Sequence, residues 1–163
     1  MKAIIAATLI GVILMFVGVT VKSKSSVRSI ATLLFTLLVG ICIWDVWDAN
    51  RGSASGAMVY FNDMISFNTF SLWFNLMMSS CTLLYVLLLG KEITNVGVHV
   101  GEYFALTSFI MVGVFLLAGF NNMLILFLGI EILSIPQYIL AGSDKKNLKS
   151  SEASLKYFLM GAF

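Results

Sequence analysis

The chain has 163 residues, 60% of them hydrophobic and only 11% charged, with a formal net charge of +2. A water-soluble domain carries about 25% charged residues, so this composition excludes a soluble globular fold. The small charge excess offers no footprint for nucleic acid, and what remains is an all-α membrane protein, a polytopic helical bundle in a lipid bilayer.

A helix crosses the hydrocarbon with roughly 20 mainly apolar residues. The first such stretch, Ala3–Val21, follows Met1-Lys2 directly. It is longer than the roughly 7–15 apolar residues of a signal sequence and has no small-residue cleavage site before KSKSS, so it reads as a true span. Ile30–Trp47 forms the second span and ends in Trp44 and Trp47 beside Asp45 and Asp48, the mark of a membrane boundary. The loop 48–64 is the longest connection, with RGSASG at its centre and room for a short strand or hairpin.

Ile65–Leu89 is the third span. Asn68, Ser71, Asn75, Ser79 and Thr82 recur along it every three or four residues, which gathers them on one helix face. In lipid such a face turns towards other helices. A loop with the single histidine, His99, leads to the fourth span, Tyr103–Gly119, where Gly113 and Gly119 suit close packing. Phe120-Asn121-Asn122 is too short for anything but an antiparallel hairpin with the fifth span, Met123–Leu140.

A sixth apolar helix begins near Ser151 and continues to Phe163. Thirteen residues rise only about 20 Å, short of a crossing, so the expectation is the front portion of a longer bundle. Cys42 and Cys81 lie in separate apolar spans and read as small apolar filler, with neither a metal site nor a disulfide framework indicated.

Basic residues divide unevenly between the two sides. The loops after spans one, three and five hold Lys22, Lys24, Arg28, Lys91, Lys145, Lys146 and Lys149, against Lys2 and Arg51 on the other side. The positive-inside rule then places the N-terminus outside and the KSKSSVR and SDKKNLK loops in the cytoplasm.

Glu131 is the exception to this apolar plan, an acid in the middle of span five. Placing an ionisable group at that depth costs roughly 2.5–3.5 kcal/mol on insertion scales, and such groups commonly mark ion or proton paths. Ser134 and Tyr138 follow on the same face, and Pro136 removes a backbone donor from the helix between them. The alternative role for Glu131 is a protonated acid bonded to a neighbouring helix. Lys156, on the sixth helix, follows Glu152 by four residues in the acid-first order that favours a local ion pair. Its two readings are a proton carrier beside Glu131 and an ordinary partner of Glu152.

The stretch LFLGIEILSIPQYILAG and the following SSEASLKYFLMGAF closely resemble the N subunits of bacterial respiratory complex I. The resemblance runs over about residues 100–163, and over 1–99 only as a three-helix pattern. It implies three peripheral helices in 1–99 and, from 100, the start of an antiporter-like, proton-translocating repeat with further helices to follow. It assigns Glu131 to the family's fifth-helix glutamate and Lys156 to its sixth-helix lysine. It also implies a bacterial inner (cytoplasmic) membrane and, as partners, other antiporter-like and small connecting subunits of the membrane arm. No redox cofactor is expected in this chain; flavin mononucleotide, iron–sulfur clusters and quinone belong to partner subunits. Multi-subunit cation/proton antiporters share the glutamate helix, and a purely structural membrane subunit is the remaining alternative.

Overall fold

The computed structural model describes residues 1–21, 23–51, 58–95, 99–144 and 147–162, with only the backbone at 58, 89–95 and 162. Among the described residues, six helices and one hairpin follow in the order α1 (Lys2–Thr20), α2 (Lys24–Asn50), β1 (Met58–Tyr60), β2 (Ile65–Phe67), α3 (Thr69–Asn95), α4 (Val100–Ala118), α5 (Met123–Ala141) and α6 (Leu148–Ala162). The first five helices are long and apolar enough to cross a membrane. The chain is therefore a membrane protein, as its composition requires.

Helix α4 is the hub. It is buried on most of its surface and carries Phe104 and Phe115 with no exposed area. Helix α1 lies along it with Ala3, Ala7, Ile10, Gly11 and Leu14, residues spaced three, four or one apart on one face. Small residues set how closely the two approach. The Ser108 hydroxyl of α4 donates to the Ala7 carbonyl of α1 at 2.8 Å, and a methyl group added to Gly101 would run into the Gly18 backbone.

Helix α2 buries Val27, Ala31, Phe35, Leu38, Cys42 and Val46, a stripe with steps of three and four, mainly against α3. Most of the predicted polar stripe faces inward: Ser71, Asn75 and Ser79 are buried, and the Thr82 hydroxyl reaches Met111 Sδ of α4 at 2.9 Å, whereas Asn68 precedes α3 and is exposed. Tyr85 of α3 and Tyr103 of α4 bond through their hydroxyls near the other end of the same seam.

The third predicted span needs one correction. Residues 65–67 are a strand, not the start of a helix, and α3 begins at Thr69. Ile65 and Phe67 are buried and Ser66 less so, the alternation of a strand with one covered face. Strands β1 and β2 pair antiparallel, Met58 with Phe67 and Tyr60 with Ile65. Their turn places Phe61, Asn62 and Asp63 in the left-handed region at φ 55°, 50° and 64°, which Asn and Asp tolerate and Phe does not favour.

The hairpin is tied to the α4–α5 turn. Ser66 N–H donates to the Gly119 carbonyl at 2.8 Å, Asn121 N–H to the Met64 carbonyl at 3.1 Å, and Asn121 Nδ2 to the Asp63 carbonyl at 2.8 Å. Gly119 leaves room for the Phe67 ring. RGSASG lies almost wholly outside the described residues, apart from Arg51, whose guanidinium stacks 3.8 Å above the Trp47 ring.

Candidate functional site

Helix α5 carries the acid. It starts at Asn122, whose side chain accepts from Leu124 N–H at 3.0 Å and so satisfies one of the orphan donors of the first turn. One face packs on α4 through Ile125, Gly129, Leu133 and Pro136. Two close approaches fix the pair: Gly113 of α4 fits against the Leu133 backbone, and Gly129 of α5 fits against the Leu117 side chain. Gly113 therefore plays the packing part its position suggests.

Counting round the helix from this face puts Glu131, Ser134 and Tyr138 together on the opposite side. Glu131 is half-buried there. Among the described residues its carboxylate has no hydrogen-bond or ion-pair partner. The Ser134 hydroxyl does not reach it either. It donates back to the Ile130 carbonyl at 2.5 Å, the usual way a serine satisfies itself within an apolar helix. Pro136 is buried against the bundle within an otherwise continuous helix.

Tyr138 is an anchor for α6. Its ring meets Tyr157 edge-on at 5.1 Å between centroids and Phe158 at 5.8 Å. The Ser154 hydroxyl donates to the Tyr138 carbonyl at 2.8 Å, and the Ser150 hydroxyl to the Ala141 carbonyl at 2.7 Å. These two carbonyls are among the last of α5, where intrahelical donors run out. Gly161 clears the Tyr138 hydroxyl. Ser150, Ser154, Phe158 and Gly161 follow at steps of four, four and three, a single stripe laid on α5. The sequence reading passed over this stripe, although its spacing in SSEASLKYFLMG was visible.

Lys156 lies two residues beyond Ser154, and a two-residue step carries it to the far side of the helix. There Nζ bonds Glu152 Oε1 at 2.6 Å, with the side chains 69% and 62% exposed. The local ion pair is thus the arrangement observed, and the structure does not bring Lys156 to Glu131. It does not bury the lysine either. Ser154 is level with Tyr138, so Lys156 also falls about 8 Å short of Glu131 along the antiparallel helices, at 1.5 Å per residue. The last turn of α6 is what stands level with the acid.

The family described as NADH:quinone oxidoreductase/Mrp antiporter, TM, matches residues 120–163, the stretch that contains both Glu131 and Lys156. NADH-quinone oxidoreductase subunit N of Cytophaga hutchinsonii is 35% identical over 166 aligned positions, covering 100% of this chain and 34% of that protein. The chain is a relative of the N subunits of NADH-quinone oxidoreductases. The subunit N of Trichlorobacter lovleyi is 31% identical over 96% of this chain and 31% of its own length. That of Flavobacterium johnsoniae is 40% identical over 64% of this chain and 22% of its own length. The subunit N likeness thus extends through the first three helices, where the sequence pattern alone was less specific. The chain spans about a third or less of the length of these curated relatives.

Proposed function

We propose that this chain is part of a proton-translocating membrane-arm subunit of an NADH:quinone oxidoreductase, and that Glu131 is the group in it that takes up and releases protons. The observation that carries this reading is the placement of Glu131: half-buried at the middle of α5, without a counter-charge among the described residues, on the face turned from α4. An acid so placed interacts strongly with any charge brought beside it, because the low-dielectric surroundings screen poorly. Charge arriving on a helix opposite this face would load or discharge it. Lys156 is proposed as a modulating charge, held in reserve by Glu152 rather than in contact with Glu131.

The redox chemistry would lie elsewhere, with flavin mononucleotide, iron–sulfur clusters and quinone in partner subunits. Those partners would be other antiporter-like and small connecting subunits of the membrane arm. The membrane would be a bacterial inner membrane, with residues 1–99 as peripheral helices and 100–163 as the start of the translocating repeat. The N-terminus would face the periplasm, because the basic loops lie at the opposite end of the helices.

The matched family's description also names the Mrp antiporter, which favours cation/proton exchange as the second reading. Replacing Glu131 by Gln in the full-length protein within its assembly tests the role of the acid. Slowed proton uptake with normal assembly is the expected result, whereas unchanged coupled rates would leave Glu131 a structural residue. Dependence of the activity on NADH oxidation, rather than on a sodium gradient, separates the two readings.

A further inference from the structure

Leu37, Gly40, Ile41 and Trp44 follow along α2 at steps of three, one and three, which puts them on one helix face. Together with Lys2 of α1 they line a groove of about 600 Å³. Leu37, Gly40 and Trp44 are exposed, and Ile41 is half-buried. A methyl group added to Gly40 would meet nothing within 4 Å, so the space beside it is open. From Leu37 to Trp44 the helix rises about 10 Å, at 1.5 Å per residue. The groove therefore runs along the helix, from the membrane boundary marked by Trp44 and Trp47 into the hydrocarbon.

Charge of both signs stands at the boundary end. Lys2 Nζ lies 3.5 Å from Asp48 Oδ2 and 3.7 Å from Asp45 Oδ1. Both separations exceed the roughly 2.7–2.9 Å of a charge-assisted hydrogen bond, so the ammonium can still donate to a third group. Its side chain is 61% exposed, and that of Asp48 45%. A cation and a carboxylate side by side complement a headgroup that itself carries a phosphate and an ammonium.

We propose that this groove seats one zwitterionic phospholipid whose headgroup ends in a primary ammonium. Its acyl chain lies along Leu37, Gly40 and Ile41, its phosphate accepts from Lys2, and its ammonium donates to Asp48. A transmembrane helix fits less well. Such a helix is about 10–12 Å across and packs closely through small residues, whereas Gly40 stands between the projecting Leu37 and Trp44. A headgroup with negative charge alone would lose the contact with Asp48.

The test is electron cryomicroscopy of the full-length protein in its native assembly, reconstituted in nanodiscs of mixed phosphatidylethanolamine and phosphatidylglycerol. The expected result is elongated density beside Gly40 that ends in a headgroup within hydrogen-bond distance of Lys2 Nζ. That density should be lost in Gly40→Leu, which fills the groove, and in nanodiscs of phosphatidylglycerol alone. A protein helix in the groove, no ordered density there, or equal density in phosphatidylglycerol overturns the proposal. Should Gly40→Leu fail to assemble, the parent protein in the two lipid compositions decides.

Discussion

Ser154 and Lys156 sit two residues apart on α6 and face opposite ways, the first donating to the Tyr138 carbonyl of α5 at 2.8 Å and the second closing an ion pair with Glu152 at 2.6 Å. This relationship separates two roles that the stretch SSEASLKYFLMG carries together. One face of the helix docks on α5, and the other presents a charge pair.

The pair itself should matter little for stability. Both partners are mostly exposed, and helical pairs of this spacing contribute about 0.3–0.5 kcal/mol. A double-mutant cycle with Glu152→Gln and Lys156→Met, read from thermal unfolding of the assembled protein, should give a coupling in that range. A coupling above about 1.5 kcal/mol would mean the pair is buried in the assembly, beyond the range of exposed pairs.

The docking face should be more sensitive. Gly161 packs against the Tyr138 hydroxyl, so Gly161→Leu should push α6 away, while Ser154→Ala removes one hydrogen bond, about 0.5–1.5 kcal/mol. Cysteines placed at Ala141 and Ser150 report the distance between the helices. Their crosslinking rate should fall markedly in Gly161→Leu and only slightly in Ser154→Ala. Equal rates in both variants and the parent would show that α6 is held by something other than this stripe.

Two glycines, one in α4 and one in α2, give a controlled comparison. A side chain at Gly101 meets the Gly18 backbone, which cannot rotate out of the way, whereas Gly40 has nothing within 4 Å. Gly101→Ala should lower the stability of the assembled protein by about 1–3 kcal/mol, the usual range for overpacking. Gly40→Ala should be neutral or slightly stabilising, because alanine is the better helix former. Thermal unfolding of the two variants, side by side, checks the order.

In the hairpin turn, Phe61 holds φ 55° at a position that favours glycine. Phe61→Gly should relieve about 1 kcal/mol of backbone strain, partly offset by the greater freedom of glycine when unfolded. Asn121→Ala, by contrast, removes the side-chain bond that ties the hairpin turn to the α4–α5 connection. Limited proteolysis in the 58–67 region should slow in the first variant and quicken in the second.

Much of this fold was legible because membrane helices announce themselves by length and hydropathy, and the inward polar face of α3 by its spacing. The α4–α5 hairpin followed from three connecting residues. The strand at 65–67 was hidden because Ile65–Phe67 is apolar and runs straight into the apolar pattern of α3, so hydropathy cannot mark the change of backbone. The packing of α1 on α4 depends on Gly18 and Gly101, residues far apart in sequence whose meeting no local pattern encodes. At the candidate site, Glu131 stood out as one acid in an apolar span. The direction of Lys156 did not, because both its readings needed the docking face of α6, and that face is set by Ser150, Ser154 and Phe158 together.

The most direct test of the account is proton uptake by the assembled complex, in sealed vesicles, with Glu131→Gln. The substitution keeps the side chain's size and hydrogen-bonding capacity and removes its exchangeable acid. The account predicts intact assembly, slowed proton translocation and slowed coupled NADH oxidation. Translocation at the parent rate in a correctly assembled complex would contradict it and leave Glu131 as a bond between helices.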